Sequence, residues 1–198
     1  RMKDLDVIPS PYLTGFFEKI MKEYPDVKFH ATWESNRGCP FRCSFCDWGG
    51  LTYQKVKIFD INRCKDEITY IADKKMFAMW ISDANFGIFK KRDVELVQHL
   101  VDTYKKEGYP EFFPTLGYAK TPPKRNGVAE IQRLIREALP DNKTPSPRVA
   151  IQSFDHDTLT NIRRDNLSIT DLDLIVDNQK QNDVPFEVEL IIPLPGMT

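Results

Sequence analysis

Nowhere in its 198 residues does this chain have an apolar run near the roughly 18–20 residues that a membrane-spanning helix needs. Its first residues also lack the basic-then-apolar order of a secretory signal. Net charge is almost absent: 28 Lys and Arg stand against 29 Asp and Glu, leaving −1. No broad electrostatic attraction to nucleic acid or to an anionic membrane follows, and neither is expected as a partner. Histidines number three, and His30, His99 and His156 are scattered, so they supply no second pair for a tetrahedral zinc site. Cysteines number four, three of them within eight residues. That is too few and too local for a secreted disulfide framework, and it points to a reducing compartment, with cytoplasm as the expectation. Internal repeats and low-complexity tracts are missing as well.

The remaining composition, 41% hydrophobic and 29% charged, is that of an ordinary globule long enough for one well-buried domain. Residues 1–26 read as a lead-in segment, extended around Ile8-Pro9-Ser10-Pro11-Tyr12, with a short helix over Thr14–Tyr24. From residue 27 to 198 strands alternate with helices. Val27–Trp33, Phe77–Ser82, Phe112–Tyr118, Arg148–Ser153 and Phe186–Ile192 read as strands. Asp60 starts a helix running to about Lys74, with Ile61, Cys64, Ile68 and Ile71 at helical spacing. Further helices are expected over Arg92–Glu107 (stopped by Gly108 and Pro110), Val128–Leu139, Thr158–Arg163 and Leu172–Gln181. This rhythm argues for successive βαβ units and a parallel sheet, wound into a partial (β/α) barrel of about five to six strands. The Pro/Lys-rich stretches 120–126 and 140–147 read as surface loops. The segment is expected to stop before the last strand of such a barrel, as a core piece of a longer polypeptide.

Chemistry concentrates in Gly38-Cys39-Pro40-Phe41-Arg42-Cys43-Ser44-Phe45-Cys46. Three thiolates can hold three irons of a [4Fe–4S] cluster and leave the fourth open to a substrate or cofactor. Gly38 and Pro40 let the backbone turn tightly around a bulky cubane. A zinc knuckle or a chance group of buried thiols is the rival reading, and the missing second ligand pair weighs against it. Cys64, on the apolar face of a helix, reads as a buried structural thiol.

The Cys spacing, with an aromatic just before the last Cys, resembles the signature of the radical S-adenosylmethionine (SAM) enzymes. The resemblance implies that Cys39, Cys43 and Cys46 hold the cluster and that Phe45 offers a face to the adenine of SAM. Ser82-Asp83-Ala84-Asn85-Phe86-Gly87 follows the second strand, where the family carries a segment that receives the SAM amino group. A glycine-rich run is missing there, but Asp83 and Asn85 supply acceptors; an Asx turn capping the next segment is the alternative. Ile151-Gln152-Ser153-Phe154 and Ile162-Arg163-Arg164 resemble the oxygen-independent coproporphyrinogen oxidases and their relatives. By that likeness Gln152 contacts the ribose of SAM and Arg164 its carboxylate, the alternative for Arg163 and Arg164 being a solvated helix end. In Val188-Glu189-Leu190-Ile191-Ile192-Pro193-Leu194-Pro195-Gly196, which resembles the acidic strand and Leu-Pro-Gly turn of the same enzymes, Glu189 would receive ribose hydroxyls. Pro193 departs from the pattern, standing where glycine is common.

What the family implies is reductive cleavage of SAM to a 5′-deoxyadenosyl radical that abstracts hydrogen from a substrate, a small molecule or a peptide. An external electron donor of flavodoxin or ferredoxin type would supply the electron. Ile8-Pro9-Ser10-Pro11-Tyr12-Leu13 is similar to the linker of members with an N-terminal cobalamin-binding domain. Cobalamin, carried by a domain outside this chain, would then assist methyl transfer or a rearrangement. The rival from another class is a zinc- or iron–sulfur-stabilised binding module without catalytic activity. Phe86, Trp48 and Tyr118 read as core packing rather than as cavity lining.

Overall fold

The computed structural model describes residues 4–47, 55–113, 120–140, 146–181, 183 and 185–197. In chain order its elements are α1 (Glu18–Glu23), β1 (His30–Trp33), β2 (Asn36–Arg37), β3 (Lys57–Ile58), α2 (Ile61–Asp73), β4 (Ala78–Ile81), α3 (Lys90–Glu107), α4 (Val128–Ala138), β5 (Arg148–Gln152), α5 (His156–Asn161), α6 (Ile169–Gln181) and β6 (Glu187–Leu190).

The helices begin and end where side chains satisfy their free backbone groups. The Asp60 carboxylate accepts from the Asn62 and Arg63 amides and opens α2. Asp155 accepts from the Thr158 amide and opens α5 two residues earlier than the apolar pattern suggested. Ser168 takes the Asp171 amide and starts α6 at Ile169. Gly108, at φ +75°, closes α3 in the left-handed conformation that glycine adopts without a steric penalty. Thr14–Phe17, expected as helix, forms turns, and regular α1 is confined to six residues.

β1 and β4 pair in parallel, His30 opposite Ala78 and Trp33 opposite Ile81. Ala78 also bridges Phe112 in parallel, which places β4 between β1 and the chain at Phe112. β5 and β6 form a second parallel pair, with an irregularity between Ala150 and Gln152. A two-residue antiparallel pair, β2 with β3, was not anticipated from the sequence. The expected α/β architecture is present, but in place of a partial barrel of five to six strands the described residues form two separate parallel pairs and one short antiparallel pair, with no closed barrel. Phe112–Tyr118, expected as a strand between them, lies mostly outside the described residues, as do Trp48 and Tyr118.

Strand alternation turns Ala31 and Trp33 inward, and the stripes of α2 and α3 cover them with Ile68, Ile71, Leu96 and Leu100, each at most 1% exposed. α3 packs between α2 and α4. The lead-in joins this core: Leu5 and Tyr12 are buried in it, and the Tyr12 hydroxyl donates to the Thr32 carbonyl at 2.6 Å. Phe86 belongs there too, edge-on to Trp33, as expected for a packing residue. A smaller cluster of Val128, Val149, Ile151 and Ile175 seats β5 against α4 and α6. β6 is exposed along its whole length.

Candidate functional site

The cysteine loop leaves β1 through a stem that is locked from below. Asp83, just past the end of β4, accepts from the Ser35 amide at 2.7 Å, the Ser35 hydroxyl at 2.5 Å, the Asn36 amide at 3.1 Å and the Asn36 carboxamide at 2.6 Å. Four such bonds fill the acceptor capacity of one carboxylate. Burial nevertheless pushes the Asp83 carboxyl up to about 6, the hydrogen bonds from Ser35 and Asn36 countering only part of the desolvation. Arg92 completes the lock, donating to the Ser35 carbonyl at 2.7 Å and pairing with buried Asp93 at 2.9 Å. Asp93 in turn accepts from the Gly87 and Phe89 amides, which fixes the loop that follows β4. Gly38 then turns at φ +115° with Lys55 backbone oxygen 2.9 Å from where a Cβ would stand, so only glycine fits.

The three thiols meet unlike partners. Cys39 is buried, and the Asn85 carboxamide donates to its sulfur at 3.2 Å. Cys43 is buried against two cations, with Lys120 Nζ at 2.6 Å and Arg164 Nη1 at 3.8 Å. Cys46 is partly exposed. The loop is pinned across the molecule by the Ser44 amide, which donates to the Ile162 carbonyl at 2.8 Å and so brings the residues after α5 beside it. Iron ligands must be thiolates, and the sulfurs of Cys39 and Cys43 each have donors within reach. Cys39, Cys43 and Cys46 therefore fit an iron–sulfur cluster in donor type and electrostatics. Among the described residues no three His, Cys, Asp or Glu side chains gather around a single-ion position. Cys64 is apart from all this: it is fully buried on α2, and burial pushes its thiol up to about 12, an inert state.

Arg164 is buried, which lowers its pKa against the opposing charges of Cys43 and Cys46. Its Nε donates to Asn166 at 2.7 Å and its Nη2 to the Ala150 carbonyl, and these two contacts aim the guanidinium at the loop. Gln152 ends β5 at φ +70°, a strained conformation for a residue with a side chain, and its buried Oε1 has no partner among the described residues. A buried acceptor of this kind can be satisfied by water, an ion or a ligand donor. Glu189 lies opposite Ala150 in the β5–β6 register but is half-exposed, 3.8 Å from Arg148. Phe45, next to Cys46 in the chain, is 39% exposed. Between the loop and the segment after α5, Pro40, Phe41, Arg42, Arg163 and Asp165 line an open cleft of about 520 Å³.

Sequence reasoning missed Lys120, which was assigned to a surface loop. It also missed Ser35, Asn36, Arg92 and Asp93, whose polar identity gives no hint of burial until the stem is folded over Asp83. Asp83, expected at a ligand's amino group, accepts four hydrogen bonds from the stem.

No family model matches the chain. Its sequence is similar to 2-(S-pantetheinyl)-carbapenam-3-carboxylate methyltransferase from Streptantibioticus cattleyicolor, 33% identical over 94% of this chain and 27% of that protein. It is also similar to the cobalamin-dependent radical SAM methyltransferase TokK from Streptomyces tokunonensis, 32% identical over 100% of this chain and 28% of TokK. The chain has the radical SAM fold, and its sequence relatives are radical SAM methyltransferases. It spans a little over a quarter of the curated relatives it matches. Solved radical SAM structures share the fold. The methyltransferase TsrM from Kitasatospora setae, with tryptophan substrate and a SAM analogue bound, superposes with a TM-score of 0.65 at 14% identity, over 89% of this chain and 33% of that one. OxsB, with aqua-cobalamin and SAM bound, gives 0.58 at 13% identity, over 87% and 25%. Among the described residues no helix is long and apolar enough to cross a membrane.

Proposed function

We propose that this segment is the catalytic core of a cobalamin-dependent radical SAM methyltransferase acting on a small molecule. The observation that supports the reading is the pair of long-range contacts on the cysteine loop, Asn85 on Cys39 and Arg164 on Cys43. Cys39, Cys43 and Cys46 would hold a [4Fe–4S] cluster, which when bound supplies the electron for opening the sulfonium of SAM.

The protein's own part is placement. Arg164 uses three of its five N–H donors on Asn166, Ala150 and Cys43, which leaves two for the carboxylate of SAM. Gln152 offers its free Oε1 to a ribose hydroxyl, and Phe45 offers its exposed ring to adenine. Asn85 would meet the SAM amino group, with Asp83 holding the stem so that Asn85 and Cys39 keep their distance. Glu189 would receive the second ribose hydroxyl by leaving Arg148, a half-exposed pairing that contributes little to stability. The cleft beside Phe41 and Arg163 has the volume of a small-molecule site, and the name of the carbapenam methyltransferase relative supports a substrate of that size. A one-electron donor of flavodoxin or ferredoxin type would serve the cluster, and cobalamin would come from another domain of the longer protein.

The test is product analysis on the full-length protein with SAM, cobalamin and a strong reductant under strict anaerobiosis. The expected products are 5′-deoxyadenosine and methionine, with S-adenosylhomocysteine where SAM also donates its methyl group. A protein that holds four irons and four sulfides and forms none of these overturns the reading.

A further inference from the structure

We propose that Lys120 sets the reduction potential of the cluster by placing a positive charge on one of its three ligands, Cys43. The inference rests on the reading of Cys39, Cys43 and Cys46 as cluster ligands. Its basis is an asymmetry between chemically identical residues. Cys39 receives a neutral carboxamide from Asn85 at 3.2 Å, whereas Cys43 faces an ammonium at 2.6 Å and a guanidinium at 3.8 Å.

Lys120 is also held in place. Its Nζ stands 4.3 Å from the centroid of the Phe41 ring, two residues before Cys43, so the aromatic face and the sulfur grip the same ammonium. Arg164 is anchored separately, by Asn166 and Ala150, and does not depend on Lys120 for its position. Removing Lys120 therefore subtracts one charge while three thiolates and one cation remain.

Reduction adds one electron, delivered by a low-potential donor, to a group that already carries net negative charge through its thiolates. A fixed cation a few ångströms from one ligand stabilises the reduced form more than the oxidised form. With Cys43 buried, water screens that interaction weakly. Lys120 thus raises the potential and eases the electron's entry. It acts through Cys43 and touches no reacting atom, which makes it a positioning residue for charge rather than a catalytic one.

The experiment uses the full-length protein, reconstituted anaerobically with iron and sulfide, as wild type and as Lys120→Met, Lys120→Gln and Lys120→Arg. Iron and sulfide content are measured first, then the midpoint potential by titration followed by the electron paramagnetic resonance signal of the reduced cluster. The expectation is that Lys120→Met keeps its iron and that, at fixed poise, its ratio of reduced to oxidised cluster falls about tenfold, about 59 mV more negative for one electron. Lys120→Arg should restore most of the loss. If Lys120→Met fails to hold iron, Lys120→Gln, which keeps a donor without the charge, must give the same shift. A full cluster at the wild-type potential in Lys120→Met or Lys120→Gln overturns the proposal and leaves the cluster reading intact. Wild type without iron and sulfide overturns both.

Discussion

At the scale of single residues, the site separates groups that face ligands from groups that hold those groups still. Replacing Cys39, Cys43 or Cys46 with Ala should abolish stable iron binding in the reconstituted protein, while Cys64→Ala retains it, as read by iron and sulfide analysis. Loss of iron from Cys64→Ala would overturn the three-ligand assignment. Asp83 yields a prediction about pH. Its folded pKa of about 6 lies above the usual value of 3.8, so the folded state binds the proton more tightly than the unfolded state. Its contribution is therefore fully present below about pH 4 and is lost as pH rises to about 6, on the order of 1–3 kcal/mol. Denaturant unfolding between pH 4 and 7 should show that falling component in the wild type and not in Asp83→Asn. An identical pH slope in both proteins would remove Asp83 as its source. The cysteine loop was legible in the sequence because three residues of one reactive type fall within eight positions. Lys120 was not, because a lysine in a Pro/Lys-rich stretch looks the same whether it meets water or a thiolate 77 positions away.

At the scale of elements, the helices were legible because their signals are local. Apolar spacing and the Asp60 and Gly108 termini put α2, α3 and α4 within about two residues of their observed bounds. β2 and β3 were not legible, since two residues per strand leave no period to read. Nor was the break between the parallel pairs, because pairing depends on register between distant segments rather than on any one of them. α3 is central to the helical layer, and Leu100, 1% exposed, faces the core it shares with α2. Leu100→Ala should destabilise the protein by about 2–5 kcal/mol, measured as a lower urea midpoint at unchanged slope. A loss below about 1 kcal/mol would mean that the α2–α3 contact is less tightly packed than described.

For the whole molecule, β6 is the exposed margin. Val188, Leu190 and Ile192 are 45%, 51% and 76% exposed, and β6 pairs only with β5 among the described residues. Such an edge invites pairing with another chain. The 198-residue chain alone should therefore self-associate with rising concentration in sedimentation velocity, and Val188→Lys should suppress that. Concentration-independent monomers of both proteins would show that the edge is already protected. The long reach of the contacts around Cys43 also has a consequence in time. Arg164 follows Cys43 by 121 residues, and Lys120 follows it by 77. At ordinary synthesis rates of about 5–20 residues per second, the three thiols leave the ribosome on the order of ten seconds before Arg164 exists. During that interval the nascent thiols have neither cation beside them. Iron delivered then would meet a loop whose electrostatic surroundings are unfinished; under the proposed function, both cations stand beside Cys43 only after the later half of the chain has come back to the loop made first.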